Sequence, residues 1–214
     1  MKHKIVHIDS KFPLLVIFQG LRTHVLLTSG ELPYLYYNML TTSDLKLNYI
    51  FFKDETQQYF HQEHKNVESI IRRYVNKHNP PRIVSIGQSA GGFNAILISK
   101  NLHIDSVISI APQTNLDWYS FGAGKREHPR LNNLQNKFEL PETDLRNLQP
   151  FNCPVEYWRP LFGEFDNYHF NNIDKADKNL SIREFSSSHN IGNTIGKENF
   201  KRLIIDSIIK HTQI

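Results

Sequence analysis

Long apolar runs separated by polar segments are the main pattern in this chain. Leu14 to Phe18 is a continuous apolar run, and Leu47 to Phe52 is another. Strands that are apolar without interruption are typical of a sheet covered by helices on both faces. In residues 3–8 apolar and polar positions alternate instead, which predicts an edge strand. A short strand over 25–28 is possible, but the pattern there is ambiguous. Further strands are predicted at 83–86, 104–110, 155–162 and 180–185.

Helical spacing occurs between these runs. Apolar residues at intervals of three and four predict an amphipathic helix over 64–77, ended by Pro80 and Pro81. The same spacing predicts a closing helix over 197–210, and 33–42 is a shorter candidate. Strands that alternate with helices predict an α/β fold with a doubly wound, mostly parallel sheet.

The segment after the 104–110 strand breaks this alternation. From about residue 115 to 150 the chain is polar and rich in Asn, Lys, Arg and Glu. Long irregular connections inside compact domains are usually functional. With 214 residues and no internal repeat, we expect one domain over 1–214 that carries a small lid at about 115–150.

Composition narrows the function classes. The chain has 25 Lys and Arg against 21 Asp and Glu, a net charge of +4. That is too mild for a nucleic-acid-binding protein, although a modest positive field suits an anionic sugar polymer. The single cysteine, Cys153, excludes an intrachain disulfide and is expected to be a small buried hydrophobe. No signal peptide or membrane-spanning run is visible, so we predict a cytoplasmic protein; the oligomeric state stays open.

Candidate chemistry begins at the turn Gly87-Gln88-Ser89-Ala90-Gly91-Gly92, between a predicted strand and a predicted helix. A serine at such a turn is strained, and small residues two positions before and after it let strand and helix approach. Its hydroxyl would stand exposed at the carboxyl end of the sheet, beside the helix N-terminus. The glycine spacing excludes a phosphate loop or a dinucleotide fingerprint. The turn resembles the nucleophile elbow of the α/β-hydrolases; a plain glycine-rich turn with a serine cap is the alternative.

A serine nucleophile needs a histidine that accepts its proton and a carboxylate that orients the histidine. Asp166 and His189 follow Ser89 in the order found in α/β-hydrolases, and each comes near the end of a predicted strand. We therefore predict these three residues as the catalytic triad. The rival residues are His169 for the base, and Glu164 and Asp174 for the acid.

Two backbone amides are needed to stabilise the oxyanion of acyl transfer. The amide of Ala90 follows the candidate nucleophile directly. The second amide should come from the loop after the 14–18 strand, which makes Gly20 or Leu21 the candidate. The side chain of Gln19 either contributes there or is ordinary loop chemistry.

Over nearly its full length the chain resembles the α/β-hydrolase superfamily. Four motifs are similar to those of the hydrolase-fold O-acetyltransferases in bacterial capsule and exopolysaccharide loci: residues 87–92, Ala111-Pro112-Gln113, the segment 163–169 and Ser188-His189-Asn190. The resemblance implies acetyl-CoA as the acyl donor and a sugar hydroxyl of a polymer as the acceptor. We expect no permanently bound cofactor and no metal. One departure is Gln19-Gly20, where the wider superfamily commonly has His-Gly.

The predicted substrate contacts lie in these motifs and in the lid, where a basic run can meet phosphates or an anionic polymer, or can be a solvated face. Three functions follow: an O-acetyltransferase, a carboxylesterase or deacetylase with the same triad, and a catalytically silent hydrolase-like binding protein. The candidate substrate-binding residues are Gln19, Gln113, Trp118, Tyr119, Lys125, Arg126, Tyr168 and His169.

Overall fold

A single sheet forms the centre of the molecule. The computed structural model describes residues 1–20, 34, 36–55, 59–116 and 140–213. The strands are β1 (Lys2–Val6), β2 (Leu14–Phe18), β3 (Asn48–Lys53), β4 (Ile83–Gln88), β5 (Ser106–Ile110), β6 (Val155–Pro160) and β7 (Leu180–Phe185). Within the described ranges the sheet has seven strands in the order β1-β3-β2-β4-β5-β6-β7. Only the β1–β3 pair is antiparallel among these strands, which confirms the predicted α/β fold with a mostly parallel sheet.

Helices cover both faces of this sheet. They are α1 (Tyr37–Thr41), α2 (His64–His78), α3 (Ala90–Leu97), α4 (Glu164–Asn171), α5 (Ile191–Ile195) and α6 (Lys197–Thr212), with 3₁₀ helices at Ile98–Lys100 and Leu145–Leu148. One core lies under α2 and α3, and the other under α1 and α6. Leu14 and Val16 of β2 pack into the first core, whereas Leu15 and Ile17 pack into the second. Burial on both faces explains why β2 is apolar without interruption.

Some boundaries differ from the sequence-based prediction. The strand predicted over 155–162 ends at Pro160. No helix was predicted directly after His189, but α5 begins at Ile191. Ile191 is buried in the second core, and a Cβ at Gly192 would lie 3.0 Å from the ring of Phe200. This packing stabilises a helix that composition alone did not indicate.

The predicted lid is described only at its two ends. The backbone amide of Leu116 donates to Thr143 O at 2.9 Å, and that of Leu145 donates to Thr114 O at 2.8 Å. The two ends are therefore held side by side. The lid itself stays a prediction because 117–139 lies outside the described residues, and so does the possible strand over 25–28.

Two further expectations concern Cys153 and the membrane. Cys153 is buried in the first core, as predicted, and burial raises the pKa of its thiol to about 11. Among the described residues, no helix combines the length and the apolar character needed to cross a bilayer.

Candidate active site

Ser89 lies at the sharp turn between β4 and α3. Its backbone angles are φ 57° and ψ −123°, a region that costs a residue with a Cβ on the order of 1–3 kcal/mol. The amide of Ser89 donates to Ile110 O of β5 at 2.8 Å, and the amide of Phe93 donates to Ser89 O at 3.1 Å. The predicted strand, turn and helix are therefore confirmed, and the serine is strained as expected.

Two glycines let the turn close. A Cβ at Gly87 would lie 2.1 Å from Gly91 O, and a Cβ at Gly91 would lie 2.2 Å from Phe18 O at the end of β2. Contacts this short are far inside van der Waals distance. Small residues two positions before and after Ser89 are therefore required, as the sequence predicted.

The structure brings the three predicted triad residues together. His189 Nε2 lies 2.9 Å from Ser89 Oγ, and His189 Nδ1 lies 2.7 Å from Asp166 Oδ1. The side chain of Asp166 is 6% exposed and that of His189 is 36% exposed. A buried carboxylate on Nδ1 keeps the proton there and leaves Nε2 free to accept the serine proton. The geometry can therefore generate a serine nucleophile.

Asp166 and His189 reach each other because the ends of β6 and β7 stay joined. Beyond the last paired strand residues, the amide of Leu161 donates to Phe185 O and the amide of Phe162 donates to Ser187 O, both at 2.9 Å. The segments that carry the carboxylate and the imidazole are thus held side by side.

The placement of Asp166 corrects one expectation. It was predicted to stand at the end of the strand, but it lies in the first turn of α4, after Gly163 with φ 118°. The side chain therefore points into the site from a helix N-terminus. Glu164 and Asp174, the rival acids, are both exposed; the carboxylate that contacts His189 is that of Asp166.

His169, the rival base, is fully buried one turn further along α4 from Asp166. Its Nδ1 accepts the backbone amide of Thr114 at 3.0 Å, and its backbone oxygen accepts the Thr114 hydroxyl at 2.7 Å. Burial, with a smaller effect of nearby His189, lowers the pKa of His169 to about 3. His169 therefore joins α4, and with it Asp166, to the segment after β5.

Two of the candidate oxyanion donors, Ala90 and Gly20, lie beside Ser89. Ala90 is the first residue of α3, so its amide has no acceptor within the helix. A Cβ at Gly20 would lie 2.4 Å from Gln88 O and 3.4 Å from Ser89 Cβ, so the Gly20 backbone lies against the elbow. The side chain of Gln19 is 7% exposed, and no hydrogen bond to its Oε1 occurs within the described residues.

The predicted substrate contacts divide into three groups. Gln113 is 1% exposed and accepts a hydrogen bond from Tyr59 O–H, so it is part of the interior rather than of an open surface. Tyr168 is partly buried, with its ring centroid 5.2 Å from that of His169. The substrate candidates Trp118, Tyr119, Lys125 and Arg126 lie outside the described ranges, and so does the oxyanion candidate Leu21.

Two contacts at the site were missed by the sequence reasoning. The ring of Phe165 meets His189 edge to face, with centroids 5.1 Å apart. The hydroxyl of Tyr36 donates to Gln88 Oε1 at 3.2 Å, one residue before Ser89. Phe165 carried a signal, because it directly precedes Asp166. Tyr36 carried none, since it lies far from the elbow in sequence.

A metal site is a separate question. Within the described ranges, no group of three or more His, Cys, Asp or Glu side chains is arranged to hold a metal ion.

Comparison with known proteins gives matches in structure alone. No protein-family model matches the sequence, and neither does any curated protein. The capsule O-acetyltransferase of Neisseria meningitidis serogroup A is 14% identical with a TM-score of 0.65, covering 94% of this chain and 90% of its own. An esterase of Pyrococcus furiosus is 13% identical with a TM-score of 0.61, covering 99% and 92%. MenH from S. aureus is 14% identical with a TM-score of 0.55, covering 99% of both chains.

These neighbours confirm the predicted resemblance at the level of architecture. Identities this low indicate a shared fold and leave the substrate to chemical argument. The mostly parallel sheet, the strained serine between β4 and α3, and the neighbours agree. The chain therefore has the α/β-hydrolase fold.

Proposed function

We propose that this protein is a serine acyltransferase that moves an acetyl group from acetyl-CoA to a hydroxyl of a bacterial capsular or exopolysaccharide. The observation that carries the acyl chemistry is the hydrogen-bonded chain from Ser89 through His189 to Asp166 at the elbow. The likeness to a capsule O-acetyltransferase supports the acetyl group and the polysaccharide acceptor.

The first half-reaction acylates the serine. His189 Nε2 accepts the proton of Ser89 as Oγ attacks the thioester carbonyl carbon, and Asp166 stabilises the imidazolium that forms. The C–S bond then breaks, and the CoA thiolate leaves with the proton from His189. An acetyl ester on Ser89 and free CoA thiol result, so protons and charges balance.

The second half-reaction removes the acetyl group from Ser89. A sugar hydroxyl gives its proton to His189 Nε2 while its oxygen attacks the acetyl-serine carbonyl. The serine ester bond breaks, and His189 returns the proton to Ser89 Oγ. In both halves the oxyanion accepts hydrogen bonds from the amide of Ala90 and from a second amide, at Gly20 or Leu21.

A carboxylesterase is the second candidate. The side chain of His189 is 36% exposed, so water can reach the general base. Esterases and carboxylesterases also occur among the structural neighbours. In this reaction water replaces the sugar hydroxyl, and the acid is released instead of a new ester.

Intact mass spectrometry after incubation with acetyl-CoA alone separates the candidates. We expect a gain of about 42 Da, the mass of one acetyl group, on Ser89. The Ser89→Ala protein should gain nothing, whereas Ser186→Ala, a serine on the nearby loop after β7, should gain the same mass as the wild type. Addition of a polysaccharide acceptor should then remove the adduct faster than water does.

Other results would change the assignment. Rapid hydrolysis of short esters without any acetyl-CoA adduct would contradict the transferase and favour the esterase. No reaction with a fluorophosphonate at Ser89 would contradict both and favour a catalytically silent binding protein.

A further inference from the structure

A groove of about 590 Å³ runs between β1 and α2, on the flank of the sheet. His3 and His7 of the β1 segment line one wall. Arg73, Lys77 and His78 of α2 line the other. We call this the α2 groove. β1 is the terminal strand of the described sheet, so the groove lies outside the two cores.

Two side-chain cations of the α2 groove have no acidic partner among the described residues. Arg73 and Lys77 are one helical turn apart, both are exposed, and neither forms an ion pair with any described residue. None of the described residues that line the groove is Asp or Glu. Like charges four residues apart on a helix repel each other, so the arrangement costs stability unless an anion is bound.

Three stacked rings form one end of the groove. The centroids of His7 and His78 lie 4.0 Å apart, and that of Tyr74 lies 4.5 Å from His78. The Tyr74 hydroxyl lies 2.7 Å from His7 Nδ1, which fixes the first imidazole. Burial and the nearby charges of His7 and Lys77 lower the pKa of His78. An anion here would meet two imidazoles that are already held in place.

The groove also reaches the edge of the sheet that carries Ser89. Lys2 of β1 pairs with Lys53 at the end of β3, so this end of the groove lies at the carboxyl edge of the parallel strands. From Asn66 at this end to His78 at the opposite end, where Lys77 and the three rings lie, the groove follows about 18 Å of helix. β1 and β4 are separated by two strands, which places them roughly 14 Å apart across the sheet. A polymer can span both distances, whereas a small ester cannot.

We propose that the α2 groove binds a strand of an acidic polysaccharide, and that the acceptor polymer is therefore anionic. This rests on the proposed function for the link between the polymer and the chemistry at Ser89. Two permanent cations, Arg73 and Lys77, are fewer than the run of cations that follows a nucleic-acid backbone. Single-stranded nucleic acids also need exposed ring faces, but His7 and His78 stack on each other and Tyr74 is buried.

Titration calorimetry of the full chain with polygalacturonate oligomers, in the absence of any acyl donor, tests the proposal. We expect Arg73→Glu/Lys77→Glu to weaken binding about tenfold or more, because repulsion replaces attraction. The matched control, Lys178→Glu/Arg202→Glu, makes the same change in net charge on exposed residues elsewhere and should alter affinity less than about twofold. Binding should weaken as salt is raised, and neutral dextran should not bind.

Each alternative result overturns the assignment. No binding to polygalacturonate, or equal loss in both double variants, excludes a specific groove, and equal binding of neutral dextran excludes charge recognition. Tighter binding of a single-stranded polynucleotide changes the ligand class. Thermal unfolding of both variants checks that they fold. A protein that binds through the groove but takes no acetyl group from acetyl-CoA would contradict the proposed function alone. One that transfers acetyl groups while both double variants bind equally would contradict the groove alone.

Discussion

The two halves of the candidate site are built in different ways. The serine half is mainly local: Ser89 is positioned by the turn around it, with Gly87 and Gly91 allowing the turn to close against β2 and one amide bond joining it to β5. The acid and histidine half is assembled from distant segments. Asp166 and His189 meet only because β6 and β7 stay joined beyond their ends and because α4 is tied to the segment after β5.

The two halves should therefore respond differently to amino-acid substitutions. A local turn fails when its own backbone is crowded, and it depends little on remote contacts. A site half assembled from several segments depends on hydrogen bonds that cross the fold, so substitutions far from Ser89 in sequence should affect it. Variants on the two sides test this contrast.

The largest effect is expected at the carboxylate. Asp166→Asn removes the charge that orients His189 and stabilises its protonated form. We expect kcat to fall about 10³- to 10⁴-fold with little change in KM, measured by steady-state kinetics with a chromogenic acetate ester. Glu164→Gln, on the same turn of α4 but exposed, should change kcat less than about twofold. Equal losses in the two variants would show that Asp166 has no special role.

Adding a side-chain atom at the turn around Ser89 should lower the stability of the whole fold. Gly91→Ala places a Cβ 2.2 Å from Phe18 O, so β2 or α3 must move. We expect the free energy of unfolding to fall by about 3 kcal/mol in urea denaturation. Gly196→Ala is the matched control, because its Cβ would meet nothing within 4 Å and only the backbone angle, φ 85°, is strained. It should cost on the order of 1–3 kcal/mol, because ψ is 145° and this backbone region is nearly restricted to glycine, and a larger loss than in Gly91→Ala would contradict the packing argument.

The same contrast explains what sequence could predict. β2 is buried on both faces, so its sequence is apolar without interruption and the strand could be predicted. The glycines that the turn requires, at positions 87 and 91, are near neighbours of Ser89 in the sequence and could be recognised there. The order of Asp166 and His189 was also predictable. Their catalytic roles stay predictions, although the structure brings both to Ser89.

Long-range contacts explain what sequence could not predict. Nothing in the pattern indicates that Thr114 donates to His169, or that Tyr36 donates to Gln88, because each pair is far apart in the chain. Gln113 was predicted to contact substrate, but it is buried with Tyr59. A hydrogen-bond partner chosen by tertiary packing leaves no periodic signal along the chain.

Low pH should lower the free energy of unfolding through His169, which helps to hold the acid and histidine half of the site. Its pKa is about 3 in the folded protein, against an ordinary value of 6.5, because burial disfavours the charged form. The unfolded chain therefore binds a proton that the folded chain does not, and stability falls as the pH is lowered from about 6.5 toward 3. His169→Asn retains an acceptor for Thr114 but does not titrate. Urea unfolding between pH 4 and 7 should show a weaker pH dependence for this variant, by up to about 1.4 kcal/mol per pH unit. Parallel curves for the two proteins would contradict this assignment.

The smallest effect is expected at the hydrogen bond from Tyr36 to Gln88, which joins a distant segment to the serine half of the site. Tyr36→Phe removes the hydroxyl that donates to Gln88 Oε1, and a bond of this kind contributes about 1 kcal/mol. Because the elbow is held by its own glycines, kcat on an acetate ester should fall less than about threefold while the free energy of unfolding falls by about 1 kcal/mol. Tyr37→Phe, one residue along on α1, should change neither. A fall in kcat approaching that of Asp166→Asn would show that the serine half also depends on distant contacts, and the contrast between the two halves would be wrong.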